Sequence, residues 1–85
     1  MTMPLYMDVH NIDGPVKVAD VEGAHAADLK TQDEFDVHYL RYWVDEEHSK
    51  IFCLVDAPDA DAAAAVHRKA HGLVADEIYP VAEGA

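Results

Sequence analysis

His67 and His71 stand four residues apart in the segment Val66-His67-Arg68-Lys69-Ala70-His71-Gly72. On an α-helix that spacing places two side chains on one face, one turn apart, so the pair can offer two imidazole nitrogens to a single cation. A divalent first-row metal takes about four to six donors. The pair is half of a site, and the remaining donors must come from other parts of the chain. His10, His25, Asp8 and Asp28 are the candidates, with Asp28 following His25 by three residues and so lying one helical turn further on.

Such donors need a frame. The sequence of 85 residues reads as one domain, residues 1–85, with a core thin enough that dimerisation would add useful burial. Seventeen acidic against six basic residues give a formal charge of −11, which argues against nucleic acid or an anionic membrane surface as a partner. Cys53 is the only cysteine, so neither an internal disulfide nor a CxxC motif is available. Within Ile51-Phe52-Cys53-Leu54-Val55 it reads as a buried, inert thiol. The chain shows neither a signal-peptide pattern nor an apolar run of membrane-spanning length, and a cytoplasmic location is expected.

Pro4 to Asn11 alternates as a strand, with Leu5, Met7 and Val9 on the expected core face and Tyr6, Asp8 and His10 on the other. After Asp13-Gly14-Pro15 a helical pattern runs from about Val18 to Phe35, with Val18, Val21, Leu29 and Gln32 on one stripe and His25 at its centre. Asp36 to Asp45 alternates again, setting Val37, Tyr39, Arg41 and Trp43 against His38, Leu40, Tyr42 and Val44. A polar loop, Asp45-Glu46-Glu47-His48-Ser49, leads to a returning strand from Lys50 to Asp56. A second helix begins near Asp56-Ala57-Pro58-Asp59 and ends at Gly72, with Ala62, Ala63, Val66 and Ala70 as its stripe and His67 and His71 at the stripe's edge. Asp76 to Val81 forms a last strand, placed at a sheet edge by Pro80. The order βαββαβ predicts an α+β, ferredoxin-like sandwich: an antiparallel sheet with two helices on one face and an open second face that invites a two-fold dimer.

In that topology the end of the first strand brings His10 towards His71, while His25 faces the second helix within reach of His67. Four histidines then converge on one end of the fold, and Asp8 or Asp28 can add oxygen. His38 either joins them or packs elsewhere; His48, in a loop, has no expected role. A lone histidine on an apolar stripe is more often a hydrogen-bonded core residue than a ligand, and it is the pair His67/His71 that raises the metal reading. Asp8 and Arg41 are candidates for a cross-strand ion pair, and Tyr6, Tyr39, Tyr42 and Trp43 for packing between subunits.

The chain resembles a small bacterial ferredoxin-like family whose characterised representative is described as a nickel-binding protein. The residues that carry the resemblance are Met7-Asp8-Val9-His10, Ala24-His25-Ala26-Ala27-Asp28-Leu29, Val37-His38-Tyr39-Leu40-Arg41-Tyr42-Trp43, Phe52-Cys53-Leu54, Ala57-Pro58 and Val66-His67-Arg68-Lys69-Ala70-His71. The resemblance implies a homodimer that binds nickel, with sequestration of surplus metal as its use. Imidazole and carboxylate donors suit nickel, copper, zinc and cobalt alike, so the residues themselves do not select the ion. The alternative is a small enzyme of the same fold, in which Asp8, His10 and His71, or a histidine-bound metal, act on a small organic substrate.

Overall fold

The computed structural model describes residues 3–84. Its elements run β1 (Leu5–Asn11), α1 (Val18–Thr31), a 3-10 turn (Gln32–Phe35), β2 (His38–Asp45), β3 (Lys50–Asp56), α2 (Ala60–Ala70) and β4 (Glu77–Val81). The four strands form one antiparallel sheet in the order β2-β3-β1-β4, and the helices pack on one of its faces. This is the expected α+β ferredoxin-like sandwich. No helix among the described residues is long and apolar enough to cross a membrane.

Each turn has a local cause. The Asp59 side chain accepts a hydrogen bond from the Ala62 N–H at 2.8 Å and caps α2. At the other end Gly72 takes φ of 86°, and its N–H donates to the His67 carbonyl at 2.8 Å, closing the helix just past the second histidine. Asp36, at φ 57°, reverses the chain from the 3-10 turn into β2. The core between sheet and helices is built from small side chains, chiefly Val21, Val37, Val55, Ala57, Ala63 and Val66.

Three expectations about which side chains face inward are corrected. In β1 the inward face is Tyr6, Asp8 and His10, not Leu5, Met7 and Val9: Asp8 and His10 are buried, and in register with Cys53 and Ile51 of β3, which are buried too. Alternation reports that a strand has two faces but not which face the helices cover, and this strand buries its polar one. In β2 a bulge shifts the register between Tyr39 and Arg41. Tyr39 and Tyr42 therefore share the helix side while Arg41 and Trp43 turn to the open side, which strict alternation cannot produce. In α1 the buried positions are Val21 and Asp28, two turns apart, whereas Val18 and Leu29 are exposed. The predicted stripe was displaced because Asp28, a charged residue, was not counted as an inward position.

Candidate metal centre

β1 carries Asp8 and His10 inward, β3 sets Cys53 opposite Asp8, and α1 and α2 lower Asp28, His67 and His71 onto them. His67 is the hub and is only 2% exposed. Its Nδ1 lies 2.9 Å from Asp28 Oδ1 and its Nε2 lies 2.9 Å from Asp8 Oδ2. A carboxylate oxygen accepts, so both ring nitrogens donate and the ring is an imidazolium. The rings of His10, His71 and Tyr39 surround it, with centroids 5.0, 4.9 and 4.5 Å away.

Each carboxylate has further neighbours. The Tyr39 hydroxyl lies 3.1 Å from Asp8 Oδ2 and 3.0 Å from the Ala63 carbonyl, and its one hydrogen can serve only one of them. Asp28 Oδ1 also lies 3.1 Å from His71 Nε2, while His71 Nδ1 accepts from the Leu73 N–H at 3.1 Å. That acceptor role leaves the His71 proton on Nε2, aimed at Asp28. Asp8 Oδ1 is different: it is buried and has no hydrogen-bond partner, although His10 Nε2 stands 3.3 Å away. A buried anionic oxygen without a partner is costly, on the order of 1–3 kcal/mol or more.

The electrostatics follow from these contacts. Burial works to lower the His67 imidazole, but the hydrogen bonds to Asp28 and Asp8 and their negative charge outweigh it and push the group up to about 9. Burial works to raise Asp8, yet His10 and His67 hold its carboxyl well below the usual range. Cys53 and Tyr39 are pushed far upward, first by burial and then by the Asp8 charge, so both keep their hydrogens.

Two overlapping donor groups result, each with its atoms within 4.8 Å of one another: Asp8, His10, Cys53 and His67, and Asp28, His67 and His71. The set fits a borderline divalent cation, because it combines imidazole nitrogen, carboxylate oxygen and one thiol. The unpartnered Asp8 Oδ1 is an acceptor that such a cation would satisfy. A nitrogen or sulfur that ligates must release its hydrogen, so a cation here takes the place of protons.

Of the six candidate residues, Asp8, His10, Asp28, His67 and His71 are brought together. His25 is not part of either donor group: its ring packs on Tyr42 with centroids 4.8 Å apart, and Asp28, one turn on, takes the place expected of it beside His67. His67 lies inside rather than at the edge of the α2 stripe. His38 is exposed at the start of β2, and His48 pairs with Asp45 in the loop at 2.9 Å. Asp8 and Arg41 form no pair, since the bulge sends Arg41 to the other face of the sheet. Sequence reading missed Cys53 and Tyr39. The register Asp8↔Cys53 makes the thiol a neighbour of the carboxylate, a signal available once β1 and β3 are paired; the bulge that seats Tyr39 left none.

Comparison with known proteins agrees with this architecture. The sequence model of the family described as "Nickel responsive protein SCO4226-like" matches residues 6–81. The chain is similar to SCO4226 from Streptomyces coelicolor A3(2), known from a crystal structure, with a TM-score of 0.87 at 36% identity, over 95% of this chain and 99% of that one. No curated protein matches the chain.

His67→Ala leaves two buried carboxylates without their shared cation, and the metal-free variant should lose about 3–5 kcal/mol of unfolding free energy in denaturant melts. The wild-type pH profile should be dome-shaped. The Asp8 contribution is present above its unfolded value near 3.8 and fades as pH falls below it. That of His67 is complete below 6.5 and is lost as pH rises through about 9. Melting temperatures of metal-free protein from pH 3 to 10 check this; an alkaline limb equally steep in His67→Ala would contradict it.

Proposed function

The chain belongs to the SCO4226-like family of nickel responsive proteins, and from that premise we propose that it is a nickel-binding, non-catalytic homodimer that buffers or sequesters the metal in the cytoplasm. The observation that carries the reading is the buried cluster in which candidate ligand atoms of Asp8, His10, Cys53 and His67 stand within 4.8 Å of one another, with one Asp8 oxygen lacking a hydrogen-bond partner. Asp28 and His71 complete it on the far side of the His67 ring. His67 serves either as a ligand through one nitrogen or as the donor that orients a ligating carboxylate through the other, the two roles an imidazole commonly takes around a metal. The thiol of Cys53 adds a softer donor than the imidazole and carboxylate groups and favours a late first-row ion over calcium or magnesium.

Buffering suits this arrangement better than catalysis. The donors are buried and tied to one another, and release of an ion returns protons to Cys53 and the histidines, so occupancy follows both metal concentration and pH.

The homodimer is supported by the open face of the sheet. Leu5, Met7, Arg41, Trp43, Leu54 and Tyr79 align across all four strands there, and Trp43, Tyr79, Leu40 and Val81 are exposed. An exposed apolar face of this extent favours association, and a two-fold pairing with a second copy would cover it.

Elemental analysis of untagged protein purified without added metal should find stoichiometric nickel or a related divalent ion, and the His67→Ala/His71→Ala double variant should lose it; a metal-free wild type, or a variant that retains its load, would sink the proposal. Trp43→Glu places a charge on the β2 side of the open face, where the indole is exposed, and should convert dimer to monomer in light scattering, with metal stoichiometry per chain unchanged.

A further inference from the structure

A cavity of about 240 Å³ opens between the sheet and α1 beside the metal cluster. Its walls are mainly apolar, from Val16, Val21, Ala24, Ile51 and Leu73, which offer nothing to a hydrated ion. Polar groups stand at particular parts of the wall: His10, Cys53, His67, His71 and Asp28 where the cavity meets the cluster, His25 and Tyr42 beside each other, and the exposed Asp20. An apolar hollow with a few convergent polar groups is the usual form of a small-molecule site. Since a cavity of about 150 Å³ accepts a benzene ring, this one has room for a body of about eight to ten heavy atoms.

The charge around the cavity decides what kind of head group that body can carry. Asp28 and Asp20 stand in the wall and Asp8 lies behind His67, whose two ring hydrogens are already committed to Asp8 and Asp28. Asp8, Asp20 and Asp28 bring three carboxylates to this part of the fold, and the formal charge of the chain is −11. His25 and Tyr42, packed together at 4.8 Å, add aromatic surface to the same wall, a favourable neighbour for a cation. An anionic head would meet repulsion from the Asp20 and Asp28 carboxylates, whereas a protonated amine finds acceptors there. We infer that this cavity binds a small organic amine, an aromatic or branched aliphatic body bearing one ammonium group, seated with the body against Val21, Ala24 and Ile51 and the head towards Asp28. This site is separate in chemistry from the metal reading, because an ammonium has no lone pair with which to ligate an ion.

The test uses full-length protein stripped of metal with a chelator, titrated with 2-phenylethylammonium and, separately, with phenylacetate, which has nearly the same body and the opposite charge. Calorimetry should show saturable binding of the amine, at least about tenfold tighter than the acid. Amide shifts in the wild-type protein should map to Val21, Ala24, Ile51 and Leu73. Ala24→Leu fills the hollow and should weaken binding about tenfold or more, and Asp20→Asn, which removes the charge but keeps a side-chain oxygen for the Lys17 N–H at the start of α1, should weaken it by a smaller factor. Absence of saturable binding, equal affinity for the acid, or shifts confined to the open sheet face would each overturn the inference. None of these outcomes depends on whether the protein binds nickel.

Discussion

One buried imidazole between two carboxylates organises this structure. His67 reaches Asp28 with Nδ1 and Asp8 with Nε2, both at 2.9 Å, and so ties α2 to α1 and to the central strand β1 in a single interaction. The three groups are nearly inaccessible to water. Burying such a group is tolerated only because each charge has its opposite within hydrogen-bonding distance. The cluster adds a polar tie to a core rich in valine and alanine, and it sets the relative positions of the remaining donor groups.

The same arrangement limits what the site can do. A ring with a proton on each nitrogen is not a ligand, and a buried thiol held protonated is not a nucleophile. A metal ion entering here would exchange protons for its own charge among groups already in place. The unpartnered Asp8 oxygen marks one side of the His67 ring, and the Asp28–His71 pair marks the other. The sheet separates two kinds of side chain by face: acids, histidines and the thiol towards the helices, and Met7, Trp43, Leu54 and Tyr79 away from them.

Much of the fold was legible from local signals. Alternation located the strands, Gly72 marked the end of the second helix, whose start lies at Ala60 after the Asp59 cap rather than around Pro58, and the order of elements led to the ferredoxin-like sandwich. The spacing of His67 and His71 marked the site because four residues on a helix is a fixed geometric relation. The differences share a cause: hydrophobicity does not identify the inward face of this chain, where β1 buries Asp8 and His10 rather than Leu5, Met7 and Val9, and α1 buries Asp28 rather than Leu29.

The sequence by itself determined the elements, their order and the presence of a histidine pair able to meet a metal, because turns, caps and helical spacing depend on neighbours within a few residues. Only the tertiary structure decided which face of β1 is inside, that the β2 bulge brings the Tyr39 hydroxyl to Asp8, that Asp28 rather than His25 meets His67, and that Cys53 joins the donors. Those outcomes depend on strand register and on pairing of charges between residues as far apart in the chain as Asp8 and His67, and the balance of desolvation against compensation that settles them exists only once the distant partners are in contact.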